Sequence, residues 1–96
     1  MVAAIVLINV ERARVDDVAQ HLLKFSEVSE VFSVAGQYDL VVIVRAHTNE
    51  EIADCIAGKV RGVPFITRTE TLIAFKTYAP EDMDRMFSIG NDEPKG

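Results

Sequence analysis

Tryptophan is absent and cysteine occurs once, at Cys55. A single thiol leaves no internal disulfide to staple the fold. Basic residues are scarce, 10 Lys+Arg against 15 Asp+Glu for a net charge of −5. That balance argues against a protein that grips nucleic acid by neutralising phosphates, which needs a basic patch. No apolar run reaches the roughly 18 residues of a membrane span. Met1–Val10 is apolar but has no basic stretch before it, so it does not read as a signal peptide. Repeats and low-complexity tracts are also missing. These absences leave a soluble, cytoplasmic, single-domain protein as the expectation. What is abundant is apolar character: 49% of the 96 residues are hydrophobic. Small domains bury a modest fraction of their surface, so an apolar excess must be hidden somewhere.

The chain alternates between two periods. Ala3–Val10 is a β-branched apolar run that reads as a buried strand. Val15, Val18, Ala19, Leu22 and Leu23 recur at helical spacing, with Asp16 and Asp17 in the first turn where carboxylates suit the helix dipole; this helix is expected to end near Ser26. Val31–Val34 begins a second strand. Ala35–Asp39 is a turn in which Gly36 is best able to take positive φ. Leu40–Val44 is a third strand without polar interruption. Thr48-Asn49-Glu50-Glu51 has the form of a capping box and opens a second helix bearing Ile52, Ile56 and Val60 on one face, weakened at Gly58 and closed by Gly62 and Pro64. A last strand is expected from about Ile66 to Tyr78, with Thr67, Thr69 and Thr71 pointing one way and Arg68 and Glu70 the other.

The order βαββαβ, joined by right-handed crossovers, favours an α+β ferredoxin-like sandwich: a four-stranded antiparallel sheet with strands one and three central and both helices on one face. The other face should then alternate with polar residues to meet water. It does not, since Ala3–Ile8 and Leu40–Val44 are apolar in both parities. A second copy packed sheet to sheet is the simplest cover, so the chain is expected to be a homodimer. Residues 1–79 form the folded domain in this reading. Residues 80–96 form an acidic tail that carries −3 of the net charge, and its Met83, Met86 and Phe87 share helical spacing.

Catalytic constellations are weak. His21 and His47 lie on different elements without partners at metal-ligand spacing, so no metal and no cofactor is expected. Cys55 reads as a small buried hydrophobe rather than a nucleophile. Asp16/Asp17 and Glu50/Glu51 are explained by dipole and capping. There is no glycine-rich phosphate loop and no serine-nucleophile motif. Two segments rise above this background. Gly36-Gln37-Tyr38-Asp39 combines exposed backbone amides, an amide side chain and a carboxylate, and could hold a small zwitterion, although spacing alone favours an ordinary hairpin turn. Thr67-Arg68-Thr69-Glu70-Thr71 is the second, and on sequence alone a solvated edge-strand face is its favoured reading.

Around these two segments the chain resembles the effector-binding (RAM) domain of the leucine-responsive/AsnC family of feast-or-famine regulators. Ala35-Gly36-Gln37-Tyr38-Asp39-Leu40, following Glu30-Val31, is similar to the family's G-x-Y-D hairpin. Val63-Pro64-Phe65-Ile66-Thr67-Arg68-Thr69-Glu70-Thr71-Leu72-Ile73 is similar to its V-P-G-V-T-R-T-E-T-L-I segment. The resemblance covers roughly Val2 to Tyr78. It implies a dimeric α/β barrel that assembles further, often as a ring of four dimers, with amino-acid effectors bound near Gly36, Gln37, Tyr38 and Asp39 and, from the last strand, Thr69 and Thr71. Two departures stand out. No helix-turn-helix segment precedes the first strand, so a stand-alone RAM protein is expected, without direct nucleic-acid or membrane binding, acting with a full-length relative or a regulated enzyme. Phe65 also stands where the family has glycine, and Gln37 where an acidic residue or asparagine is frequent.

The leading expectation is a non-enzymatic, amino-acid-sensing oligomerisation module in transcriptional or metabolic regulation. Two alternatives remain at this point. One is a small dimeric α/β-barrel enzyme of monooxygenase type, which wants His, Trp, Tyr or Asn on inward faces; the central strands offer only Asn9. The other is an assembly subunit that binds no ligand.

Overall fold

The computed structural model describes residues 1–80. The acidic tail, Pro80 apart, and with it the Met83, Met86 and Phe87 spacing, lies outside the described residues. The elements run β1 (Val2–Val10), α1 (Val15–Leu22), β2 (Val28–Ser33), β3 (Leu40–Ala46), α2 (Asn49–Asp54) and β4 (Ile66–Ala74). The sheet order is β2-β3-β1-β4 with every pairing antiparallel. This is the ferredoxin-like α+β sandwich expected from the element order, with the two apolar strands in the middle.

Parity along β1 divides the sheet into two faces. Ala4, Val6 and Ile8 are fully buried and pair with Val44, Val42 and Leu40 of β3, which are also fully buried. Val18 and Leu22 of α1 and Ile52 of α2 close this core from above, joined by Cys55, Val60 and Val63. Burying each large aliphatic side chain there contributes about 1.5–3 kcal/mol. No polar or charged residue is buried among the described residues.

Among the described residues the opposite face carries no layer. Ala3, Ile5 and Leu7 pair with Arg45, Ile43 and Val41 on one side and with Ala74, Leu72 and Glu70 on the other, and Phe32 of β2 extends the same face beside Val41. Phe32 and Leu72 stand 47% and 45% exposed. The open face is therefore an apolar floor with polar groups at its corners.

Several boundaries differ from the sequence reading. Helix α1 stops at Leu22 rather than near Ser26, and Lys24 and Phe25 turn the chain with hydrogen bonds back to His21 and Leu22. Strand β2 starts at Val28, and an irregularity between Val28 and Glu30 absorbs one residue of register. Strand β4 ends at Ala74, not Tyr78. Helix α2 opens with the expected capping box: the Glu51 N–H donates to Thr48 Oγ1 at 3.1 Å and the Thr48 N–H donates to Glu51 Oε1 at 3.0 Å. After Asp54 the helix widens into a π-type turn over Cys55–Lys59 and tightens to a 3₁₀ turn over Val60–Gly62. Ile56 is consequently half-buried, while Cys55 joins Ile52 and Val60 in the core.

Phe65, the departure from the resembled family's glycine, has φ of +74°. Glycine enters this left-handed region freely and other residues do not. The Phe65 carbonyl accepts the Glu11 N–H at 2.8 Å, and the Arg14 guanidinium sits 4.4 Å over the phenyl ring. These contacts offset the backbone strain. Truncation separates the two effects, because Phe65→Ala loses the ring and keeps the strain while Phe65→Gly loses both. In chemical denaturation the glycine variant should be the more stable by about 1 kcal/mol; equal stabilities would mean the backbone is unstrained there.

Candidate functional site

The β2–β3 connection is fastened to the end of β1 through Asp39. The Asp39 N–H donates to the Ile8 carbonyl at 2.9 Å, its carbonyl accepts the Val34 N–H at 3.0 Å, and its Oδ2 accepts the Val10 N–H at 2.9 Å. The carboxylate thus continues the β1–β3 ladder one step past its last backbone pair, where β1 also shifts register against β4 between Asn9 and Val10. Gly36 has φ of +135°, a conformation that side chains disfavour. Gly36 and Gln37 are exposed. Tyr38 reaches from this loop to β4, where its hydroxyl donates to the Glu70 carboxylate. That hydrogen bond pushes the phenol above its ordinary pKa, and partial burial and the Glu70 charge push in the same direction. Asn9, next to Arg68 in the sheet register, keeps a buried Oδ1 without a hydrogen-bond partner among the described residues. One end of the open face therefore gathers Asn9, Tyr38, Arg68 and Glu70.

Thr69 and Thr71 belong elsewhere. They pair with Ile8 and Val6, so they point to the helix side of the sheet. There they line a cavity of about 410 Å³ between β4 and the second helical segment. Ile52, Ala53, Ile56 and Ala57 form one wall and Ile73 extends the other. Asn49 and Arg61 supply the remaining polar atoms. The six residues drawn from the sequence thus split within one chain: Gly36, Gln37, Tyr38 and Asp39 at one end of the sheet, and Thr69 and Thr71 in the cavity. The sequence reading missed the helical wall. Its one visible signal was the Ile52-Ala53…Ile56-Ala57 stripe, in which small alanines beside bulky isoleucines leave space against the sheet.

The remaining reactive groups have structural roles. Burial first, and then the Glu27 charge, push the Cys55 thiol pKa up. A high pKa and 1% exposure make a poor nucleophile. A thiol reagent such as DTNB should leave the native chain unlabelled and titrate this one thiol in denaturant; rapid native labelling would show the core open there. Lys59 bonds both Glu27 oxygens at 2.9 Å, which holds the Glu27 carboxyl below its ordinary pKa and raises that of Lys59. A depressed carboxylate stabilises the fold above its unfolded pKa and loses that contribution as pH falls through the folded value, so the pair's contribution is present at neutral pH and is lost in acid. His21 lies against Phe25 with ring centroids 5.7 Å apart, and His47 is exposed. Among the described residues no group of three His, Cys, Asp or Glu side chains could hold a metal ion, and no helix is long and apolar enough to cross a membrane.

The Lrp/AsnC ligand binding domain family model matches residues 3–84. The HTH-type transcriptional regulator FL11 of Pyrococcus abyssi is 33% identical over 75 residues, covering 78% of this chain and 49% of that regulator. The chain spans about half the length of the curated relatives it matches. Among solved structures, TTHA0845 from Thermus thermophilus superposes with a TM-score of 0.77 at 38% identity, covering 82% of this chain and 99% of that one. A feast or famine regulatory protein from M. tuberculosis, solved in complex with L-methionine, superposes with a TM-score of 0.70 at 27% identity, covering 83% of this chain and 54% of that one.

Proposed function

The chain belongs to the Lrp/AsnC ligand binding domain family, and from that premise we propose that it is a homodimeric regulatory module that senses a small molecule of the amino-acid class. The observation that carries the dimer is the open apolar face: Ile5, Leu7, Phe32, Val41, Ile43 and Leu72 share one side of the sheet with no layer over them among the described residues. A second copy placed sheet to sheet buries both floors at once, and a stable interface needs about 800 Å² per partner. The ligand reading is supported by family membership and by the methionine bound to the M. tuberculosis relative. The curated relatives are named as transcriptional regulators, which favours a binding role over an enzymatic one.

Two regions of the chain are suited to a ligand. The Gly36–Asp39 loop offers backbone amides and the free carboxylate oxygen of Asp39. The cavity offers Thr69 and Thr71 above an apolar wall. In a dimer or a ring of dimers, a loop from one copy and a cavity from another can be brought together although one chain keeps them apart. Sedimentation of the full chain at micromolar concentration should give twice the chain mass or a multiple of it. Thermal-shift measurement with each of the twenty amino acids should stabilise the protein with at least one aliphatic member. A stable folded monomer, with no response to any amino acid, would sink the proposal.

A further inference from the structure

The cavity between α2 and β4 has one chemical asymmetry. Among the described residues its walls carry one charged side chain, the Arg61 guanidinium, and no carboxylate. The acids of α2 are Glu50, Glu51 and Asp54, and none of them lines the cavity. Glu51 is engaged in the capping box. Glu70 projects from β4 to the opposite face and holds the Tyr38 hydroxyl. The two ion pairs among the described residues, Arg14–Asp17 and Lys59–Glu27, leave Arg61 without a carboxylate.

We infer that this cavity recognises branched aliphatic carboxylates through Arg61 and does not require an α-amino group, so that an α-keto acid binds it more tightly than the amino acid with the same carbon skeleton. The inference rests on the ligand-sensing reading and specifies the ligand's chemistry. A guanidinium fork matches a carboxylate with two parallel hydrogen bonds. Ile52, Ile56 and Ile73, with gaps left by Ala53 and Ala57, suit a branched tail, and about 410 Å³ lies within the range of small-ligand pockets. The Thr69 and Thr71 hydroxyls and the Asn49 amide can donate to a keto oxygen. An ammonium in the same place meets only neutral acceptors and the repulsion of Arg61, with no carboxylate among the lining residues to hold it.

Calorimetric titration of the full chain with α-ketoisocaproate, isocaproate and leucine tests this. Both deaminated acids should bind, with leucine at least tenfold weaker. Arg61→Gln should weaken both acids tenfold or more while leaving the thermal midpoint unchanged, because Arg61 is exposed. Ala57→Phe, which fills the cavity, should abolish binding. Leucine binding more tightly than either acid, or an unchanged affinity in Arg61→Gln or Ala57→Phe, overturns the inference. A chain that binds amino acids but neither deaminated acid overturns the inference and leaves the sensing reading standing. Failure to bind any of these three compounds overturns the inference, and a further failure to respond to any of the twenty amino acids overturns the sensing reading as well.

Discussion

Ile5→Asp should convert the protein into a folded monomer. Ile5 lies near the middle of the open face, flanked in register by Ile43 and Leu72. In a two-fold assembly every interface residue occurs twice. The substitution therefore strands two carboxylates between apolar floors, each without a partner. At a few kcal/mol per desolvated charge, the dissociation constant should rise at least about a thousandfold, or about 4 kcal/mol. The helix-side core is untouched, since Ala4 and Val6 point the other way, so circular dichroism should keep its native form. Light scattering at about 20 μM protein should read one chain mass, 10.6 kDa, in place of a multiple. Gln20→Asp on the exposed side of α1 serves as the control and should leave the mass unaltered. An unchanged mass for Ile5→Asp would show that the second copy sits elsewhere.

Asp39→Ala should lower stability by about 2 kcal/mol, the usual size for a hydrogen bond to a charged group whose loss leaves a donor unpaired. The orphaned donor is the Val10 N–H. Asp39→Asn keeps an acceptor oxygen and should cost about half as much. Denaturant unfolding at fixed protein concentration measures both, and an Asp39→Ala variant within about 0.5 kcal/mol of the parent would mean that the carboxylate contributes nothing there. The pair also guards against a misreading, because a ligand response lost in Asp39→Ala could reflect a loosened loop. If the response survives in Asp39→Asn, the loop's anchoring is what the ligand needs.

The sheet was legible in the sequence because a short β-branched apolar run is a local signal. The runs at Ala3–Val10 and Leu40–Val44 declared their strand state, and their lack of alternation pointed to a second apolar face. The capping box at Thr48 was legible for the same reason, since its partners are three residues apart. What escaped was set by distant contacts. Strand β2 begins at Val28 because Val28 pairs with Val44 across an irregular step, although Ser29 and Glu30 look like loop. The π-type turn after Asp54 has no composition signature beyond Gly58, and it decides that Cys55 rather than Ile56 is fully buried. Two matching motifs located the candidate residues, yet motif adjacency along the chain said nothing of the side of the sheet each would occupy. Thr69 and Glu70 are neighbours in sequence and project on opposite sides.

Strand β4 is a wall shared by two rooms. Thr69, Thr71 and Ile73 face the cavity, while Glu70 and Leu72, interleaved with them, face the open floor. A displacement of the strand by a fraction of an ångström is therefore felt on both sides without any relay. Thermodynamic reciprocity then fixes a relation that can be read from either end: if subunit association raises affinity for a cavity ligand by some factor, the ligand tightens association by that same factor. For a module of this size, one strand thickness is the whole distance over which such communication has to travel.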